Sequence, residues 1–101
     1  MQTVFRAISD PTRRAIIGML ADQAMSVGEV ADHFDMTRPA VAKHLKILGE
    51  GGLITVEAKG RERINRLNPA PLQSISEWIS VFDRFSDERL AKLKEEVESG
   101  I

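Results

Sequence analysis

The side chains of this 101-residue chain that are best suited to chemistry are cationic, and they are concentrated in one segment. Residues 38–66 carry seven basic and three acidic side chains, a balance of +4 in a chain whose net charge is −1. The basic residues are Arg38, Lys43, Lys46, Lys59, Arg61, Arg63 and Arg66, and the acidic ones are Glu50, Glu57 and Glu62. The flanking segments 1–37 and 67–101 are both acidic. This asymmetry is typical of a surface that binds the phosphates of nucleic acid.

Catalytic and metal-binding side chains are scarce by comparison. The chain has no cysteine and no tyrosine, which removes disulfides, thiol nucleophiles and thiolate metal sites. Its two histidines are His33 and His44, and Glu29 with His33 forms an incomplete metal set for which a solvated helix pair is the simpler interpretation. We therefore expect a protein that is not an enzyme and that uses no cofactor and no metal.

Composition and length narrow the class further. The chain is 43% hydrophobic and 29% charged without a long apolar run, which excludes a membrane span and argues against disorder. No secretory signal pattern is found near Met1. We expect one globular domain over residues 1–101, a cytoplasmic location and no membrane partner.

Two short helices and a tight turn position the basic segment. Asp10-Pro11 predicts the start of a helix that runs to about Ala21, and the capping box from Ser26 to Glu29 starts a helix through about Phe34. Thr37 then caps a helix whose buried stripe is Val41, Leu45 and Leu48. The opposite side of that helix carries Arg38, Ala42, Lys43 and Lys46.

A hairpin and a long helix follow. Leu53 to Lys59 and Arg63 to Leu67 predict two strands joined at Gly60, and one helix is expected from about Leu72 to Ser99. The apolar arc of that helix is wider than one small domain needs, and the first residues of the chain offer a matching stripe, so we expect a homodimer. The predicted dimer interface comprises Val4, Phe5, Ile8, Trp78, Val81, Phe82 and Phe85.

These elements together predict a winged helix-turn-helix, a mainly α fold of about five helices with a two-stranded β-hairpin as the wing. The sequence resembles the ArsR family of prokaryotic winged-helix repressors over essentially its whole length. The likeness is carried by Ala7 to Arg14, Thr37 to Leu48 and the wing residues Lys59-Gly60-Arg61. Leu67 to Leu72, Glu77 to Ile79 and Phe82 to Phe85 look like the metal-independent, autorepressor-like branch.

The resemblance implies a homodimer that pairs through its first and last helices and binds a roughly palindromic operator. Metal sensors of the family carry thiols where this chain has Ser26 and Gly28, and another family site uses histidines of the last helix, which contains none here. Neither ligand chemistry is available at those positions.

The residues expected to bind DNA lie on the predicted recognition helix and the wing. They are Thr37, Arg38, Pro39, Ala42, Lys43, His44, Lys46, Lys59, Arg61 and Arg63. Arg38 is the expected base reader, because an arginine can hold guanine O6 and N7 with two hydrogen bonds. Arg61 is expected at the backbone or minor groove, and Lys43 and Lys46 at phosphates. For His44, contact with the DNA backbone and simple packing stay open, as do phosphate contacts and local ion pairs for Arg13 and Arg14.

The function that fits these patterns is a sequence-specific DNA-binding repressor that acts as a homodimer on a palindromic double-stranded operator, without a metal. Two alternatives stay open. The first is a metal- or ligand-responsive repressor on the same scaffold. The second is a winged-helix module that binds proteins, which would show no salt-dependent affinity for DNA.

Overall fold

The computed structural model describes the backbone of residues 2–99 and the side chains of residues 2–85 and 91–97. Within that range it contains six helices and three strands. In chain order they are α1 (Gln2–Ile8), α2 (Pro11–Asp22), β1 (Met25–Ser26), α3 (Val27–Phe34), α4 (Arg38–Glu50), β2 (Ile54–Lys59), β3 (Glu62–Leu67), α5 (Ala70–Ser80) and α6 (Asp83–Ser99). The chain forms two compact units, the first reaching to Pro71 and the second starting at Leu72. The winged helix-turn-helix predicted from the sequence is confirmed in the first unit.

Side-chain caps start three helices of the first unit where the sequence predicts them. The Asp10 carboxylate accepts a hydrogen bond from the backbone N–H of Arg13 at 3.0 Å, and Pro11 follows as the first helical residue. Ser26 and Glu29 form a reciprocal capping box at the start of α3. The Thr37 hydroxyl accepts from the N–H of Ala40 at 3.3 Å. Each cap satisfies a backbone donor that the helix itself leaves unpaired.

Two arginines close the end of α1 from the next helix. The Arg13 side chain, only 9% exposed, donates from Nε to the carbonyl of Ala7 at 2.8 Å and from Nη2 to that of Arg6 at 2.9 Å. Arg14 donates from Nη1 to the carbonyl of Ile8 at 2.8 Å. These guanidinium groups satisfy carbonyls that α1 leaves without an intrahelical partner, and their charge opposes the negative end of the helix dipole.

The core of the first unit is built mostly around α4. Its predicted stripe of Val41, Leu45 and Leu48 is buried, with Ile16 of α2 and Val30 of α3 also fully inside. The end of α4 also approaches α1 closely, since a Cβ added at Gly51 would come within 3.0 Å of the Thr3 carbonyl oxygen. The buried stripe fixes which side of α4 faces solvent.

The wing is part of an antiparallel sheet of three strands in the order β1-β3-β2. The sequence predicts only two of these strands, β2 and β3. The sequence does not predict strand β1, because this strand has only two residues, Met25 and Ser26, which pair with Asn65 and Ile64. The Asn65 side chain is buried and donates to the carbonyl of Met25 at 3.1 Å. This bond ties the wing to the segment that enters α3.

The expected single C-terminal helix is wrong: two helices, α5 and α6, replace it, with a turn at Val81–Phe82. The Ser80 hydroxyl donates to the carbonyl of Glu77 at 2.6 Å, the carbonyl that would accept from the N–H of Val81 in a continuous helix. That N–H bonds instead to the carbonyl of Trp78, three residues back. Such tightening commonly ends a helix, and serine back-bonding favours it. No helix among the described residues is long and apolar enough to cross a membrane.

Candidate nucleic-acid interface

The exposed side of α4 carries the predicted recognition residues. Arg38, Pro39, Ala42, Lys43 and Lys46 are all exposed, opposite the buried stripe of the same helix. Thr37, also exposed, precedes them as the cap. A single α-helix fits the major groove of B-DNA, and residues near its N-terminus generally reach base edges or flanking phosphates.

The wing presents its cations at the end of a tight hairpin. Lys59 pairs with Glu62 across the turn formed by Gly60 and Arg61. Gly60 has a φ of +64°, which a two-residue hairpin with glycine at its first turn position requires. Lys59, Arg61 and Arg63 are exposed to solvent. Their charged groups can therefore contact a polyanion without any rearrangement of the core.

Two surface cavities connect the helix cations with those of the wing. One of about 320 Å³ lies between α4 and the sheet, and both Lys46 and Arg63 line it. A second of about 270 Å³ is lined by Arg63, Arg61 and Arg38. Because Arg63 lines both cavities, the cations of the two linings border one surface. Lys43 of α4 and Lys59 of the wing are exposed on the same two elements, and we call these cations together the basic face. Its members are Arg38, Lys43, Lys46, Lys59, Arg61 and Arg63.

Two of the three carboxylates in segment 38–66 form ion pairs with arginines outside the basic face. Of the three acidic residues in segment 38–66, Glu50 pairs with Arg6 of α1 at 3.6 Å, and Glu57 pairs with Arg66 at 3.2 Å. Both pairs are exposed and contribute little to stability. They nevertheless neutralise two carboxylates, so Glu62 is the acidic residue of that segment that stays among the wing cations.

His44 lies on the side of α4 that approaches α2. It is half-buried, and its Nδ1 lies 3.4 Å from Nη1 of Arg13. The pKa of the neighbouring Asp10 carboxyl is lowered, mainly by the hydrogen bond from the backbone N–H of Arg13 and then by the charges of Arg13 and His44. This geometry favours packing for His44, and it shows that Arg13 is a structural residue whose guanidinium is already engaged.

The described residues offer no cluster of three or more His, Cys, Asp or Glu side chains that could hold a metal ion. At the two positions where family metal sensors carry thiols, Ser26 caps α3 and Gly28 has no side chain. The carboxylate of Glu29 completes the capping box, and the Nδ1 of His33 bonds to the backbone carbonyl of Glu29 at 2.8 Å. These two side chains are therefore used within their own helix.

Each unit has exposed apolar side chains at predicted dimer positions. In the second unit, Trp78 contacts Phe82 edge-on with a ring-centroid distance of 5.6 Å, and Phe82 stacks on Phe85 at 6.3 Å. These three rings form what we call the aromatic cluster, and about half of each residue is exposed, as is still more of Val81. In the first unit Phe5 is 42% exposed, Ile8 is half-buried and Val4 belongs to the core. The assignment of all seven residues to an interface stays a prediction.

Known proteins resemble this chain in sequence and structure. Residues 8–57 match a family model described as a helix-turn-helix domain. The transcriptional repressor SdpR of Bacillus subtilis is 38% identical over 89% of this chain and 100% of its own length. The HTH-type transcriptional regulator Rv2034 of Mycobacterium tuberculosis is 38% identical over 70% of this chain and 66% of that protein.

Solved structures agree with the sequence comparison. The ArsR-like transcriptional regulator from Rhodococcus is 33% identical, covers 93% of this chain and 89% of that one, and superposes with a TM-score of 0.73. A homodimeric winged helix-turn-helix DNA-binding domain from Mycobacterium bovis shares the fold with a TM-score of 0.64 at 21% identity, over 88% of this chain and 80% of that one. From these similarities and the winged helix-turn-helix described above, the chain belongs to the ArsR family of transcriptional regulators, whose members bind DNA and are not enzymes.

Proposed function

We propose that this protein is a transcriptional repressor that binds a palindromic operator as a homodimer and does so without a bound metal. The observation that carries the proposal is the basic face, in which cations from α4 and the wing line two adjoining cavities. Such a surface fits a duplex when α4 lies in the major groove and the wing lies over the adjoining backbone or minor groove.

Repression and dimerisation draw support from relatives and from the exposed apolar residues. SdpR, which matches most of this chain, is a transcriptional repressor, and the winged-helix domain from Mycobacterium bovis is homodimeric. In this chain, each aromatic residue of the aromatic cluster is about half exposed to solvent, and a partner chain could bury these rings. A two-fold dimer places two copies of α4 about 34–36 Å apart along the duplex, so a palindromic operator follows from the symmetry of the protein.

Selection of bound sequences from a random duplex pool tests the proposal most directly. We expect the recovered sites to contain two inverted half-sites whose centres lie about one helical turn apart. Binding should weaken steeply as salt rises, because each phosphate that a cation neutralises releases counterions. A protein that enriches no sequence and shows no salt-dependent affinity for duplex DNA would instead be a protein-binding winged helix.

A further inference from the structure

Three arginines converge on one surface cavity at the start of α3. The cavity has a volume of about 270 Å³ and is lined by Arg38 from α4, by Arg61 and Arg63 from the wing, and by Gly28 from α3. Glu62 is the acidic residue in its lining. The residues that line the cavity therefore include three arginines and one glutamate.

Gly28 allows one of these arginines to lie against the cavity wall. A Cβ added at Gly28 would stand 2.9 Å from Nη2, 3.1 Å from Cζ and 3.4 Å from Nε of Arg38, which is too close for ordinary contact. The guanidinium of Arg38 therefore lies over the bare backbone of the first turn of α3. This orientation aims the group at the cavity that it shares with the wing arginines.

The chemistry of this cavity matches a phosphate. Arginine presents paired N–H donors that fit two oxygens of one phosphate, and three such groups around one cavity repel one another unless an anion lies between them. The cavity also lies between the recognition helix and the wing, where the backbone of a bound duplex would pass.

We propose that this cavity binds one phosphodiester of the operator backbone, and that Arg38 and Arg61 contact that same phosphate. This inference rests on the proposed function and assigns Arg38 a different role from the base reading expected from its sequence position. Sequence discrimination then depends on other exposed positions of α4.

Methylphosphonate scanning of a selected operator tests the proposal. Each duplex carries one uncharged methylphosphonate in each half-site, and its affinity is measured for the wild-type protein and for the Arg38→Ala and Arg61→Ala variants. We expect one position at which neutralisation weakens wild-type binding and also abolishes the affinity difference between wild type and both variants. Different positions for the two variants, or no such position, would overturn the shared phosphate.

Salt dependence and base preference give a second measurement. One phosphate contributes about −0.9 to the slope of log K against log salt, so Arg38→Ala, Arg61→Ala and the double variant should each reduce the magnitude of the slope by no more than about 0.9 per half-site. A loss of about 1.8 per half-site in the double variant would mean two separate phosphates. We also expect binding-site selection with Arg38→Ala to return the wild-type base preferences. A relaxed preference at one position with an unchanged slope would make Arg38 a base reader.

Gly28→Ala tests the geometry without removing a charge. Its Cβ should displace the guanidinium of Arg38, and affinity for specific and random duplexes should fall together as in Arg38→Ala. Gly18→Ala is the matched control, since a Cβ at that helical position meets nothing within 4 Å, and it should leave DNA affinity unchanged. Circular dichroism is the check that both variants fold. A Gly28→Ala variant with wild-type affinity would overturn the proposed position of Arg38.

Competition with inorganic phosphate separates the two sources of this ligand chemistry. When phosphate replaces chloride at constant ionic strength, operator affinity should stay unchanged. If inorganic phosphate binds the wild-type protein but not Arg38→Ala in the absence of DNA, and no methylphosphonate position abolishes their difference in operator affinity, the cavity is a site for a free anion, and the assignment to the DNA backbone is wrong. If the wild-type protein shows no salt-dependent DNA binding at all, the proposed function fails, and this inference fails with it.

Discussion

Arg13 and Arg14 show how neighbouring residues of one type take different roles. In sequence they are adjacent cations near a helix start, and the sequence alone is compatible with both phosphate contacts and ion pairs. In the structure both donate to the carbonyls that end α1, but Arg13 is buried and Arg14 is exposed. Those partners lie six or seven residues upstream and are met only because the turn at Ser9–Asp10 brings α1 back over α2. Local sequence patterns do not contain that contact.

Arg13→Ala should lower the free energy of unfolding by about 2–3 kcal/mol, because the carbonyl of Ala7 loses a charged donor in a buried place. The carbonyl of Arg6 also loses this donor but keeps a hydrogen bond from the Ser9 hydroxyl. Arg14→Ala is the matched control and should cost about 1 kcal/mol or less, since its single bond is exposed to water. Urea unfolding followed by circular dichroism measures both. Equal losses in the two variants would contradict the structural role of Arg13.

Lys46→Ala should weaken binding to all duplexes nearly alike. Lys46 lies in the third turn of α4 and lines the cavity between α4 and the sheet together with Arg63. In this position its ammonium group can contact a phosphate. The magnitude of the slope of log K against log salt should decrease by about 0.9 for each half-site. Lys92→Ala in α6 provides a matched loss of one exposed charge and should keep the wild-type slope. A Lys46→Ala slope equal to that of wild type would place the ammonium group away from the phosphates.

At the scale of elements, strong local sequence signals such as helix caps predict the helices correctly, whereas elements without such signals are not predicted. The starts of α2, α3 and α4 follow from capping side chains within three residues of each helix, and the structure confirms all three. Strand β1 depends on pairing with residues 38 and 40 positions away and has no periodicity of its own. The break after α5 depends on one serine hydroxyl, which a continuous apolar pattern conceals. The sequence therefore predicts the helix-turn-helix better than it predicts the elements around it.

The cap of α2 should make stability depend on pH in the acidic range. The pKa of Asp10 is lowered below its ordinary value of 3.8, chiefly by the hydrogen bond from the Arg13 backbone N–H. Its carboxylate thus contributes stability that is complete above the unfolded pKa and is lost as pH falls through the folded pKa. Asp10→Asn keeps a capping oxygen but no charge.

The stability advantage of wild type over Asp10→Asn should therefore shrink when urea unfolding is repeated at about pH 3 instead of pH 6. Asp22→Asn is a control for general loss of an exposed carboxylate, and its effect should change less with pH. An Asp10→Asn difference that is the same at both pH values would show that the negative charge does not stabilise α2.

At the scale of the whole molecule, this chain without cysteine has other roles for the residues of α3, the helix in which metal sensors of the family carry thiols. Ser26, Gly28, Glu29 and His33 serve helix capping or backbone contact. We therefore expect a chelator to leave operator affinity unchanged, and added Zn²⁺ at stoichiometric concentration to have no effect. Fluorescence anisotropy with metal-free buffers measures this. A stoichiometric metal in protein purified without an affinity tag, together with a chelator effect on affinity, would support the metal-responsive alternative.

Dimerisation is the property of the whole molecule that the exposed apolar residues predict. Small monomeric proteins rarely expose several large aromatic rings together, yet Trp78, Phe82 and Phe85 are each about half exposed and contact one another. Phe82 lies between the other two rings, so a carboxylate there would have to be buried in any interface that the cluster forms, at a cost of several kcal/mol.

Phe82→Glu should therefore sediment at micromolar concentration as a single chain where the wild type sediments as two. Its operator affinity should fall towards that of an isolated half-site, because the second α4 is no longer held one helical turn away. Gln73→Glu adds the same charge at an exposed polar position of α5 and should stay dimeric with wild-type affinity. A wild-type protein that sediments as one chain at this concentration would contradict the homodimer. A dimeric, folded Phe82→Glu variant would instead show that the aromatic cluster lies outside the interface.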